Sequence, residues 1–192
     1  MPSVVKEGRR VVNNLERSGS LFLVKNIFSL FLSILAICFS NIYPLKPAQI
    51  SLVSMFTIGL PAFLLSQAPN TNLIKGKFIK NIISKALPAG LVDTSVVVVM
   101  VVLGKIFKID ISEISTACTI LLSVVGLIIV YNVSKPITKY KCLILMLCLL
   151  CLIISSIFLK DIFSITKMST SLSLMCVVFS IIIGWGLNRT YE

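Results

Sequence analysis

Histidine is absent from the 192 residues. That excludes histidine metal ligands, histidine general bases and every Ser/His/Asp or Cys/His constellation. Acidic residues are scarce: 7 Asp and Glu oppose 18 Lys and Arg, for a formal net charge of +11. Charged residues of both signs make up only 13% of the chain, against about 25% in soluble domains. No G-x-x-x-x-G-K phosphate loop occurs. Composition therefore excludes an ordinary water-soluble enzyme.

What is present is apolar surface: 57% of residues are hydrophobic and the mean hydropathy is +1.03. A spanning helix needs about 20 apolar residues. Six runs qualify, at 21–42, 48–67, 87–107, 114–133, 142–159 and 170–187. They predict an all-α polytopic membrane protein with six transmembrane helices and an N-terminal cytoplasmic stalk helix over 1–20. In the stalk, Val5, Val12 and Leu15 fall at roughly helical spacing between charges; a disordered basic tail is the alternative. The same segment is too polar for a cleaved signal peptide. Segment 21–67 holds the first two spans, 68–86 is a basic cytoplasmic loop with an amphipathic interfacial stretch, and 87–192 forms a four-helix support region with a short tail.

Lys and Arg cluster between the runs, a pattern of membrane topology rather than of nucleic-acid binding. With the N-terminus inside, inside segments hold 12 of the 18 basic residues and outside segments 5, Lys25 lying within a span. Both termini are thus expected in the cytoplasm. The cysteines, Cys38, Cys118, Cys142, Cys148, Cys151 and Cys176, sit inside or at the edge of apolar runs, which argues against a disulfide framework. Cys148 and Cys151 form a C-x-x-C with apolar neighbours only. They read as small core- or lipid-facing residues, with soft-metal binding as the alternative.

Polar residues inside a membrane must face protein or water. The first span carries Lys25, Asn26, Ser29 and Ser33; the last three share a face by their spacing of three and four. In the second, Ser54 and Thr57 share a face and precede Gly59, Leu60 and Pro61. Pro61 lacks an amide hydrogen and frees the Thr57 carbonyl; Gly59 permits a bend. A helix break at Gly59 and Pro61 is expected, either an unwound cation site or an ordinary kink. Lys25 either faces the bundle or snorkels to the headgroups. Asp93 either pairs with Lys25 or caps a helix.

Together, "EGRRVVNNLERSGSLFLVKNIFS" and "YPLKPAQISLVSMFTIGLPAFLL" resemble the membrane domain of P-type cation-transporting ATPases. Gly8, Arg9, Asn13 and Asn14 match the family's stalk. Pro44, Pro47 and Gln49 match the turn into its sixth helix, and Thr57, Gly59, Leu60 and Pro61 match the T-D-G-L-P signature. The six spans then correspond to the family's last six helices. The resemblance implies a cation site at Asn26, Ser29, Ser54 and Thr57. It also implies a role for Lys25 as a tethered cation or proton site, because some proton-exchanging pumps carry Lys before this Asn. Two acidic positions of the family are Ser29 and Ile58 here, so these two spans supply no carboxylate. Tight divalent-cation sites draw on several carboxylate oxygens.

The family's DKTGT, TGE and GDGxND motifs are missing. The resemblance therefore implies a transport portion without phosphorylation, nucleotide-binding and actuator domains. ATP and Mg²⁺ are expected on the missing catalytic half, encoded in the same or a neighbouring reading frame. The expected partners are the lipid bilayer, that catalytic half and a transported cation; no nucleic acid is expected. The expected location is the bacterial plasma membrane. Two alternatives remain: a degenerate, non-transporting fragment, or an ATP-independent six-span carrier or scaffold, although no internal repeat of the carrier kind is visible.

Overall fold

The computed structural model describes residues 2–38, 44–67, 73 and 76–191. The expected end of the first span at Ile42 and part of the 68–86 loop, including Lys75, lie outside the described residues. Helix α1 runs Pro2–Cys38, α2 Pro47–Ser54, a π-helical turn Met55–Gly59, α3 Leu60–Ser66, α4 Phe78–Phe107, α5 Ile111–Ser134, α6 Lys139–Phe158 and α7 Thr170–Tyr191. With α2, the π turn and α3 taken as one span, six helices among the described residues are long and apolar enough to cross a membrane.

Helix α1 joins stalk and first span without interruption. Its 37 residues extend about 55 Å at 1.5 Å each, well beyond the roughly 30 Å hydrocarbon layer. Leu21, Val24, Phe28 and Leu32 are buried, a row spaced by three and four that packs toward the bundle. Its main partner is α4, whose Ala86, Ala89, Gly90 and Asp93 are all buried. A Cβ on Gly90 would stand 2.5 Å from Ile27 Cγ2, so only glycine allows this approach.

Helix α4 corrects the expected boundary at residue 87. It begins at Phe78 and passes through Pro88. Proline at 88 removes one hydrogen bond, but Gly90, two residues on, lies close against Ile27 of α1 and the helix continues through the proline. Helix α5 is the central element, touching α1, the second span, α4, α6 and α7. By contrast, α6 and α7 leave Leu143, Leu150, Ile154, Ile181 and Trp185 exposed, as lipid-facing helices do.

Two polar networks close the ends of the bundle. At the stalk end, Asn14 Nδ2 donates to the Ser66 carbonyl at 2.7 Å and Lys85 Nζ to Glu16 Oε1 at 2.6 Å. Lys141 Nζ donates to the carbonyls of Ser134 and Pro136, each at 2.8 Å, placing a cation at the negative end of α5. Arg17, which shares this end with Glu16, is buried, and loss of hydration lowers its pKa while Glu16 opposes that shift.

At the other end, Gln49 is fully buried. Its Oε1 accepts from the Lys46 amide at 3.0 Å and from the Ser115 hydroxyl, and its Nε2 donates to the Ser164 carbonyl at 3.1 Å. One amide thus ties α2 to α5 and to the α6–α7 connection. Gln49→Leu leaves three polar groups unpaired and is expected to cost about 1–3 kcal/mol. The readout is a lower unfolding midpoint in detergent together with faster proteolysis in the 159–169 connection; an unchanged midpoint would remove this role.

Candidate functional site

The second span changes helical register at its centre. The Leu60 amide bonds to the Met55 carbonyl, five residues back. Gly59 and Leu60 keep right-handed helical dihedrals. The expected break at Gly59 and Pro61 is therefore a π turn in a continuous helix, not an unwound segment. Its physical basis is Pro61: with no amide hydrogen, it serves neither the carbonyl four residues back nor the one five back, and the wider turn absorbs the mismatch. Such turns recur at functional sites.

Thr57 stands in this turn and is 2% exposed. Its hydroxyl donates to the Val53 carbonyl at 2.8 Å, which leaves its oxygen lone pairs as acceptors. Helix α5 comes against it at Gly126, where an added Cβ would lie 2.6 Å from Thr57 Cβ.

Beside Thr57 lies a cavity of about 40 Å³ between α1, the second span, α4 and α5. That volume holds one or two water-sized species. Its polar lining is Lys25, Ser54, Thr57 and Asp93; the rest is apolar, including Phe28, Ile58 and Leu122. Asp93 is 7% exposed, and its Oδ1 has no hydrogen-bond partner among the described residues. Lys25 is half-buried. No ion pair joins it to Asp93 among the described residues, whose ion pairs are Glu7–Arg10 and Glu16–Lys85.

The structure thus brings together Lys25, Ser54 and Thr57. It does not bring Asn26 or Ser29 into the cavity lining. Asn26 is exposed and Ser29 half-buried. The reason is angular: Val24 and Phe28 point into the bundle, and Asn26, two residues from each, is about 200° around the helix from both. Gly126 drew no attention in the sequence, where its one signal is a lone small residue in the run "SVVGLIIV". Cys148 is buried and Cys151 half-buried in α6, away from the cavity lining.

A six-span helical membrane protein with a small charged cavity at a π turn is the architecture these features define. The chain is a homologue of P-type cation-transporting ATPases, matching them as a portion of their membrane domain would. It is 34% identical over 158 residues to the calcium-transporting ATPase CtpE of Mycolicibacterium smegmatis, covering 75% of this chain and 20% of that protein. The CtpE of Mycobacterium tuberculosis is 39% identical over 102 residues, 48% of this chain and 13% of that protein. The probable cation-transporting ATPase exp7 of Streptococcus pneumoniae is 29% identical over 153 residues, 76% and 20% of the two chains. The chain spans about a fifth of the length of the curated relatives it matches. No family model matches it.

The contact at Gly126 is open to test. Gly126→Val forces Thr57 away and is expected to cost about 1–3 kcal/mol by overpacking, whereas Gly186→Val, with open space around its Cβ position, is expected to leave the unfolding midpoint within about 1 °C of wild type. Equal midpoints for the two variants would mean that α5 does not press on the π turn.

Proposed function

We propose that the chain is the transport portion of an ATP-driven P-type cation pump, embedded in a bacterial plasma membrane with both termini in the cytoplasm. The observation that carries this reading is the meeting of Ser54, Thr57 and Lys25 at a membrane-buried cavity beside the π turn, in a chain homologous to cation-transporting ATPases. Hydroxyl oxygens in an apolar pocket replace part of a cation's hydration shell. The Thr57 proton is committed to Val53, so that oxygen faces a cation as an acceptor.

Asn26 is exposed on α1 and Ser29 is half-buried at the edge of its packed face. In the assembled pump, helices of the upstream half cover this part of α1, and the two residues complete the site against them. Lys25 acts as a resident positive charge that limits how much cationic charge the cavity holds. ATP and Mg²⁺ belong to the catalytic half, which supplies phosphoryl transfer. The stalk ties at Asn14–Ser66 and Glu16–Lys85 couple that half to the second span and to α4.

Two measurements test this reading. A cysteine placed at Ser112 on a Cys-less background reacts with an impermeant maleimide added outside, and one at Ser84 does not; the reverse pattern overturns the orientation. Purified alone, the chain hydrolyses no ATP. Joined to its catalytic half it supports cation-dependent, vanadate-sensitive hydrolysis, which Thr57→Ala weakens by raising the half-activating cation concentration about tenfold, equivalent to about 1.4 kcal/mol. A folded, assembled pump that responds to no cation would favour the degenerate fragment.

A further inference from the structure

We infer that Asp93 is the cation-binding carboxylate of this cavity, supplied by α4 in place of the acidic positions that the first two spans lack. The inference rests on the transport reading and adds to it a ligand from a third helix. Among the described residues Asp93 is the only acidic side chain in the lining. It is 93% buried by the complement of its 7% exposure, and one of its oxygens has no partner.

A structural role does not account for it. Helix α4 starts at Phe78, fifteen residues before 93, so Asp93 caps nothing. No ion pair within 4 Å neutralises it among the described residues. An ionised carboxylate in an apolar interior is costly unless a counter-charge compensates it, and without one it holds a proton. Two sources of counter-charge fit the cavity: the Lys25 ammonium on its flexible stem, and an entering cation. They compete for one anion. An entering cation that draws the proton from Asp93 meets the positive charge of Lys25, which opposes it. Ser54 and Thr57 contribute neutral oxygens to the same lining, so the cavity takes a small, largely dehydrated cation.

The test uses native membranes containing the chain assembled with its catalytic half. Dicyclohexylcarbodiimide, an apolar reagent that adds to buried carboxyls as an N-acylurea, is applied with CaCl₂, MgCl₂, KCl, NaCl or, as control, choline chloride at matched ionic strength. Peptide mass spectrometry reads the adduct at Asp93. At least one of the four salts is expected to slow labelling about tenfold relative to choline. Thr57→Val raises the protecting concentration, and Lys25→Met lowers it severalfold. In the same membranes, Asp93→Asn shifts the half-activating concentration of that cation upward by at least about tenfold, and Asp93→Glu recovers part of the loss. If no salt protects Asp93 while hydrolysis stays cation-dependent, the inference fails and the transport reading stands. If hydrolysis responds to no cation, both fall. Because the labelling is read on the unsubstituted chain, a variant that does not fold leaves the test intact.

Discussion

Hydrocarbon offers no hydrogen bonds, and that constraint orders everything else in the molecule. Every backbone amide and carbonyl inside the layer must be satisfied within its own helix or by a neighbour. The chain meets this with six long helices and confines its polar networks to the two ends, around Glu16–Lys85 and around Gln49. Between the ends, Thr94, Thr119 and Ser123 bond back to carbonyls of their own helices, and in the second span, where Pro61 denies its helix a donor, the π turn rearranges the ladder. The cavity forms at the same place.

Close packing explains why the cavity is small and positioned as it is. Gly90 lets α4 reach α1, and Gly126 lets α5 reach Thr57. Neither approach tolerates a Cβ. The Gly90 contact draws α4, which carries Asp93, against α1, which carries Lys25, and both residues line the same 40 Å³ space. Gly126 closes α5 onto Thr57, the second-span residue of the same lining.

The number and kind of helices were legible because long apolar runs have one common solution in a bilayer. The stalk was legible because nothing in residues 3–38 ends a helix. The start of α4 was not, because Pro88 is a local signal and packing of Gly90 on α1 overrides it. Ser54 and Thr57, singled out by their spacing ahead of Gly59 and Pro61, share the lining of one cavity. The π turn was not legible, since proline fixes what is lost but not how the helix compensates. Asn26 and Lys25 are neighbours in sequence, and spacing alone does not state which of two faces turns inward; the buried row Leu21, Val24, Phe28 and Leu32 decides it. Asp93 was visible as a charge in an apolar run, but its partner helices were not.

The unbroken α1 gives the bundle a rigid shaft, and adjacent residues on a shaft are separated by about 100° of rotation. Lys25 lines the cavity and Asn26 is the next step around. Turning the stalk by that one step would exchange an ammonium for an uncharged amide at the cavity wall. The contacts that fix the rotation of α1, Ile27 against Gly90 and Glu16 against Lys85, therefore also fix which of two neighbouring side chains stands at the cavity wall.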